Sequence, residues 1–184
     1  MPEPEDQRAI AVFGASMSAP GDGYYEEGRE CGRLLAEAGF AVATGGYGGT
    51  MEAVSQGARE AGGQAIGVTV PGVFPDRKGP NTHVTTETRS RSLVARIDEL
   101  TGSTDGSIVL WGSLGTATEL LVAWNLAFVA PFSGLRPKPV IAVGEPWISL
   151  VPYLEETLGI DGELVTVVHN VTDAVRILID KLGR

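Results

Sequence analysis

The chain has 184 residues, of which 43% are hydrophobic and 20% are charged. That length suits one domain with a sizeable core, and no uninterrupted apolar run approaches the ~20 residues that a membrane span needs. Fourteen basic and 23 acidic residues give a net charge of -9, which argues against non-specific binding of nucleic acid. A local cationic pocket for a small anion is compatible with that sum.

The residues that could hold a metal or form a disulfide are few and scattered. Cys31 is the single cysteine, which rules out an internal disulfide, and His83 and His169 lie far apart in the sequence. We therefore expect neither a metal site nor a cofactor. Met1–Gln7 is short, polar and proline-containing, so we expect a disordered start. It does not resemble a signal peptide, so we expect a cytoplasmic location. From the length we expect a single domain within residues 1–184.

The first third of the chain alternates apolar runs with helical patterns. Three runs rich in Val, Ile and Ala predict buried strands over Ala9–Phe13, Phe40–Thr44 and Ala65–Val70. Two amphipathic helices are predicted between these strands, each ended by glycine. The core-facing residues are Tyr24, Gly28, Cys31, Leu35 and Ala38 in the first helix, and Met51, Val54, Ala58 and Ala61 in the second.

The remainder of the chain opens with an aperiodic segment, Pro71–Thr85, which is typical of a long surface loop that covers a site. Three further strands and three helices are predicted after it. The first of these helices is marked by Leu93, Ile97 and Leu100 and carries Arg96. The second runs from about Thr116 to Val129 and is followed by a turn region at Pro131–Pro139, and the last is capped by Thr172. The strands are predicted at Ser107–Leu110, Val140–Val143 and Leu164–Val168.

Strands that alternate with helices, several of them apolar throughout, indicate a parallel sheet covered on both faces. The predicted fold class is therefore a doubly wound α/β domain. In such sheets ligands bind beyond the carboxyl ends of the strands, near the point where the strand order reverses. Three glycine-rich loops would meet there: Gly14–Ser18, Gly45–Thr50 and Gly112–Thr116.

The third loop belongs to the stretch Trp111-Gly-Ser-Leu-Gly-Thr-Ala-Thr-Glu119, where a strand ends in glycines and a helix begins. Free amide groups and the positive end of the helix dipole favour a phosphate at such a junction. Thr116 adds a hydroxyl, and Glu119 follows one helical turn later. The same residues are equally typical of a helix that is capped by Thr116, with Glu119 completing a capping box.

None of the three loops has the dinucleotide-binding fingerprint or a Walker A sequence. The pattern that is left is a pocket for a monophosphate or nucleotide, with Glu119 and Arg96 as its charged members. The residues expected to bind the phosphate or nucleotide are Gly14, Ser16, Gly45, Gly46, Gly48, Gly112, Ser113, Gly115 and Thr116.

From about Ile10 to Val143, an ordered set of motifs resembles the LOG proteins, which are cytokinin riboside 5′-monophosphate phosphoribohydrolases often mislabelled lysine decarboxylases. The likeness is closest to a bacterial branch of this Rossmann-like group. Its landmarks are Ala11-Val-Phe-Gly-Ala-Ser16, Met51-Glu-Ala-Val54, Gly62-Gly-Gln-Ala-Ile-Gly-Val68 and Gly112-x-x-Gly115-Thr116-x-x-Glu119.

The resemblance implies that the protein hydrolyses the N-glycosidic bond of a nucleoside 5′-monophosphate such as AMP. In the LOG family an arginine on the preceding helix works with the signature glutamate, and Arg96 lies at the matching place before Glu119. The transition state of this reaction carries positive charge on the sugar, which a fixed carboxylate stabilises. Glu119 would take that catalytic role, and the loop amides with Thr116 would hold the 5′-phosphate. Arg96, the second catalytic residue, would pair with the phosphate or position Glu119.

The sequence also departs from the enzyme-type signature. The family has Met-His-x-Arg-Lys where this chain has Leu93-Val-Ala-Arg96-Ile97, and Pro-Gly-Gly where this chain has Trp111-Gly-Ser113. The retained arginine and glutamate favour an enzyme. The departures favour a nucleotide or molybdenum-cofactor carrier or sensor of the same fold without turnover.

The predicted helix that carries Glu119 is apolar nearly all round. A helix of that kind is buried in the core on one side and in a subunit interface on the other. We therefore expect a homodimer or a higher homo-oligomer. The other partner expected is a nucleoside monophosphate or a related phosphorylated ligand, and neither nucleic acid nor a membrane.

Overall fold

A computed structural model describes residues 7–74, 76–160 and 163–183. The predicted disordered start lies outside these residues, except for Gln7, whose side-chain amide donates to the carbonyl of Gly39. Seven parallel strands form one sheet in the order β4-β3-β2-β1-β5-β6-β7. They are β1 Ala9–Phe13, β2 Ala41–Thr44, β3 Ala65–Thr69, β4 Thr86–Arg89, β5 Gly106–Val109, β6 Val140–Val143 and β7 Val165–Val168.

Within the described residues, six α-helices connect or follow the strands, and a short 3-10 helix at Ala130–Ser133 extends the fourth. The helices are α1 Gly23–Glu37, α2 Thr50–Glu60, α3 Leu93–Gly102, α4 Leu114–Val129, α5 Trp147–Leu158 and α6 Val171–Lys181.

The sheet is covered on both faces because alternate strand residues enter two separate cores. Ile10 and Val12 of β1 pack with residues of α1, α2 and α6 on one face. Ala11 and Phe13 of the same strand pack with residues of α3, α4 and α5 on the other. This arrangement confirms the predicted doubly wound α/β fold, and the strand order reverses between β1 and β5.

Two elements of the fold were not predicted from the sequence. Strand β4 has the sequence Thr-Glu-Thr-Arg and lies at the edge of the sheet, where exposure removes the apolar pattern that marks a strand. Helix α5 contains Pro152 in its interior, a residue that normally argues against a helix.

Two details of the helices differ from the expectation. Asn170, and not Thr172, caps α6, because its side-chain oxygen accepts from the amide of Asp173 at 2.9 Å. In α1 the core-facing aromatic residue is Tyr25, while Tyr24 is half exposed. The helix begins at Gly23. In its first turn the core-facing position is one residue later than the sequence pattern predicted, so Tyr25 and not Tyr24 faces the core.

Helix α4 and the 3-10 turn after it form a stretch, Leu114–Ser133, that by length and hydropathy alone could cross a membrane. Within this structure one side of the stretch packs into the core, and 28% of it is buried. Leu120, Ala123, Trp124 and Ala127 are buried in the core beneath the sheet.

Helices α1 and α2 approach closely because glycines face the opposing backbone. A Cβ atom on Gly57 would lie 1.8 Å from the carbonyl oxygen of Arg29, and one on Gly32 would lie 2.0 Å from that of Val54. Neither helix can move aside to accept a Cβ atom, since both contacts are to the backbone of the opposing helix. The α1–α2 pair therefore depends on these glycines, and α2 begins directly at the second glycine-rich loop.

We expect Gly57→Ala to lower the free energy of unfolding by about 1–3 kcal/mol, the usual cost of overpacking. Urea denaturation followed by circular dichroism measures the change. Gly23→Ala is the matched control, since a Cβ atom there would meet nothing within 4 Å. Equal stability of the two variants would contradict the close contact between α1 and α2.

Candidate functional site

A cavity of about 130 Å³ opens beyond the carboxyl ends of β1 and β5, where the strand order reverses. It joins residues from three glycine-rich loops and from helices α3 and α4. Eight of the eleven residues singled out in the sequence line it: Gly14, Ser16, Gly45, Arg96, Ser113, Gly115, Thr116 and Glu119.

The other three residues have supporting positions instead. The Gly46 amide donates to Thr44, and its carbonyl accepts from Asn81. Gly48 lines a neighbouring, more open cavity. Gly112 makes room for a cavity-lining neighbour, because a Cβ atom there would lie 2.1 Å from Oγ1 of Thr116.

The backbone of Ala15 ties the three loops together. Its amide donates to the carbonyl of Trp111 at 3.0 Å, and its carbonyl accepts from the amide of Thr50 at 2.8 Å. Glycine is required on both sides of this junction. A Cβ atom on Gly14 would lie 2.5 Å from Cγ2 of Thr50, and one on Gly49 would lie 2.5 Å from the carbonyl oxygen of Ala15. The loops therefore form one fixed rim.

Helix α4 begins at Leu114, with Ser113 as its N-cap residue. The alternative interpretation, in which Thr116 caps the helix and Glu119 completes a capping box, is wrong. Glu119 lies too far along the helix to reach back to the cap. The Ser113 side chain makes no capping bond, so the first amides of α4 have no partner in the helix and are available to an anion at the cavity.

Arg96 lies at the base of the cavity and is only 8% exposed. Its Nε donates to the carbonyl of Val68 at 2.7 Å, and its Nη1 lies 3.7 Å from Oε1 of Glu119. The guanidinium group also fills the space above Gly45, where a Cβ atom would lie 1.5 Å from Nη2. Burial lowers the pKa of Arg96, and Glu119 opposes that shift.

Glu119 faces the cavity with a side chain that is 12% exposed. Burial raises the pKa of this carboxyl to about 7, against the opposing effect of the Arg96 charge. A carboxyl group with a pKa near neutrality can accept or donate a proton under physiological conditions. The site therefore combines an acid–base group, a fixed cation and a helix N-terminus within one small cavity.

The loop between β3 and β4 contributes two residues that the sequence did not single out, Phe74 and Arg77, which line the cavity. The loop is fastened by Asn81, which donates three hydrogen bonds to the carbonyls of Gly46 and Tyr47. The expected covering loop thus reaches the site. The only sequence signal for Phe74 and Arg77 is their place just after the carboxyl end of a strand.

The residues that differ from the LOG signature lie in different parts of the structure, and most of them are outside the cavity. Trp111 stacks on Tyr24, with ring centroids 4.2 Å apart, at the outer side of the loop rim. Val94 and Ile97, which replace the His and Lys of the signature, line a groove between α3 and α4 that is separate from the cavity. Only Ser113 lines the cavity itself.

Within the three described ranges, no group of three or more His, Cys, Asp or Glu side chains is placed to hold a metal ion. Cys31 is buried in the core, and burial raises the pKa of its thiol. That thiol is remote from the chemistry of the cavity, since Cys31 packs with α1 and α2.

Comparison with known proteins gives one family and several relatives. The model of the SLOG cluster4 family matches residues 7–130. The cytokinin riboside 5′-monophosphate phosphoribohydrolase of Mycobacterium tuberculosis (strain ATCC 25618 / H37Rv) is 29% identical over 177 residues, which cover 91% of each chain.

Two solved structures share the fold. The molybdenum cofactor binding protein of Rippkaea orientalis has a TM-score of 0.77 at 22% identity, covering 96% of this chain and 98% of the other. The Moco carrier protein of Chlamydomonas reinhardtii has a TM-score of 0.75 at 25% identity, covering 97% and 99%.

The raised pKa of Glu119 predicts a specific dependence of stability on pH. The neutral carboxyl favours the folded state fully below about pH 4.5, and this contribution is lost as the pH rises through about 7. The amide side chain of the Glu119→Gln variant cannot ionise, so the variant does not lose stability in this way as the pH rises. Its free energy of unfolding should therefore gain about 3 kcal/mol relative to the original chain between pH 4 and pH 8.

Denaturant titrations across this pH range measure the difference. Glu99→Gln, which removes an exposed carboxylate of α3, separates the effect of the site from the general loss of a negative charge. Parallel stability curves for the original chain and Glu119→Gln would show that Glu119 is not desolvated.

Proposed function

This chain belongs to the SLOG cluster4 family, and from that premise we propose that it hydrolyses the N-glycosidic bond of a nucleoside 5′-monophosphate. The products are the free base and ribose 5-phosphate, and residues 1–184 act as a single nucleotide-binding domain. The observation that carries the proposal is the buried Arg96–Glu119 pair beside the N-terminus of α4. The phosphoribohydrolase of M. tuberculosis, 29% identical over 91% of this chain, supports it.

The 5′-phosphate would bind at the start of α4. The unbonded amides after Ser113 and the hydroxyl of Thr116 face the cavity, and the helix dipole favours a negative charge there. Anchoring the phosphate at a fixed point uses binding energy from a part of the substrate that does not react. The sugar is then held next to Glu119, which lies one helical turn further along α4.

The reaction breaks the bond between C1′ of the sugar and the ring nitrogen of the base. A water molecule forms the new C1′–O bond and gives up a proton to the carboxylate of Glu119, while the departing nitrogen takes the electron pair of the broken bond. The base then receives the proton that Glu119 has gained, which returns the carboxylate to its starting state. Glu119 also stabilises the positive charge that develops on the sugar. Arg96 acts as the positioning residue, because its Nε is already bound to the carbonyl of Val68.

A second candidate function is favoured by a separate observation. The Chlamydomonas Moco carrier protein covers 97% of this chain at 25% identity. A carrier or sensor of a nucleotide or a molybdenum-cofactor-type ligand needs the phosphate-binding rim and the fixed cation but no proton transfer. In that case Glu119 would stay protonated and would donate a hydrogen bond to the bound ligand.

A panel of nucleoside 5′-monophosphates, AMP included, distinguishes the two functions. Each is incubated with the protein, and free base and ribose 5-phosphate are separated by chromatography. Release from at least one substrate supports the enzyme. Retention of an intact nucleotide through gel filtration, with no release from any member of the panel, supports the carrier and refutes the hydrolase.

We predict that Glu119→Gln lowers the rate of base release by about 10²-fold or more, because the amide cannot stabilise positive charge on the sugar or accept the proton. Initial rates at saturating AMP measure the effect. Glu99→Gln on the exposed side of α3 is the matched control and should keep the original rate. A Glu119→Gln variant with the original rate would remove this residue from the mechanism.

We further propose that a second copy of this chain covers the outer face of α3 and α4. Their groove, about 480 Å³ in volume, is lined by Val94, Ile97, Val122 and Leu126, and Val94 is 78% exposed. The groove is also lined by Arg91, Ser92, Asp98, Thr101 and Thr118, and apolar side chains that are grouped on an exposed surface among polar ones mark an interface. Large exposed hydrophobic residues continue along α4 and the turn after it: Leu121, Phe128, Val129 and Phe132.

Leu126→Glu should convert the oligomer to a monomer, because a carboxylate in an apolar interface loses its hydration without a partner. Gel filtration with light scattering reports the mass. Val73→Glu, at an exposed position on the loop after β3, is the control and should keep the original mass. A wild-type mass equal to one chain would refute the interface.

A further inference from the structure

Arg77 is held in an unusual way for a surface-loop arginine. Its guanidinium carbon lies 4.2 Å from the ring centroid of Phe74 and 4.6 Å from that of Tyr47. The two rings meet edge to face with centroids 5.7 Å apart. Aromatic faces attract a cation without neutralising it, so the side chain is fixed in place while its charge is retained.

No carboxylate forms an ion pair with Arg77 among the residues that the structure describes. The ion pairs found there join other residues, including Arg89 with Glu87 in the neighbouring strand β4. In a chain with a net charge of -9, a fixed arginine without an acidic partner is an open site for a negative charge. The nearby buried cation, Arg96, differs because Glu119 lies beside it.

Arg77 also separates two cavities. It lines the cavity of Arg96 and Glu119, and it lines a more open one of about 360 Å³ together with Glu52 and Lys78. The first cavity, at about 130 Å³, is smaller than the ~300–1,000 Å³ of ordinary ligand sites. A nucleotide bound at Glu119 must therefore extend past the rim, within reach of Arg77.

We propose that Arg77 is the anion receptor of this site and binds the phosphate of the ligand together with the N-terminus of α4, since both line the same cavity. The planar guanidinium presents donors that match phosphate oxygens in pairs. The loop that carries it is already fastened to Gly46 and Tyr47 through Asn81, so little order has to be gained on binding. The identity of the ligand as a phosphorylated nucleotide rests on the proposed function.

The test compares variants that keep or remove the charge at this position. Arg77→Met retains the length of the side chain without charge, and Arg77→Lys retains the charge without the planar group. Arg89→Met, at an exposed arginine outside both cavities, is the control. Isothermal titration calorimetry measures the affinity of the full chain for AMP and for inorganic phosphate.

Arg77→Met should weaken AMP binding about 10- to 100-fold, the usual worth of hydrogen bonds to a charged group. Arg77→Lys should lose clearly less, and Arg89→Met should bind as the original chain does. Equal losses in the Met and Lys variants would show a purely structural role and overturn the proposal. So would unchanged binding in Arg77→Met, or no binding of either probe to the original chain.

These measurements read binding and not turnover. If the chain binds AMP through Arg77 but releases no base, the anion receptor stands and the hydrolase fails. If it releases base with the same affinity for AMP after Arg77→Met, the hydrolase stands and the anion receptor fails.

Discussion

The site depends on one buried cation. Arg96 is held beneath the loop rim by the carbonyl of Val68, and it reaches that position only because Gly45 has no side chain. A buried guanidinium group is costly unless a partner compensates its charge, and Glu119 is that partner at 3.7 Å. The glycine after β2, the arginine of α3 and the glutamate of α4 are therefore a single unit, in which Gly45 leaves the space that Arg96 fills beside Glu119.

The topology of the sheet brings this unit to the rim formed by the three glycine-rich loops. Because β1 and β5 are neighbours although more than ninety residues separate them, the loops after both strands meet at one edge. Ala15 then fixes their spacing through backbone hydrogen bonds to Trp111 and Thr50. These bonds join backbone atoms, so the geometry of the rim depends on the glycines that let the backbones approach, Gly14 and Gly49.

The sequence predicted the parts of the molecule whose signal is local. Apolar strands such as Ala9–Phe13 and the junction after β5 have patterns that follow from burial and from glycine. Strand β4 was not predicted because it is an edge strand with polar residues and has no apolar pattern. Helix α5 was not predicted because it contains a proline in its interior. Arg77 could not be predicted, because its role depends on two aromatic rings, one of them on another loop.

The stacked pair of Trp111 and Tyr24 has a further consequence for work on this protein. The chain has three tryptophans, of which Trp124 and Trp147 are buried in the core, while Trp111 is half-buried beside the loop rim. Its carbonyl accepts the amide of Ala15, so the indole is attached to the backbone that a ligand would touch. A change in the fluorescence of Trp111 would therefore report a rearrangement at the rim, and a change at the two core indoles would report a loss of the fold.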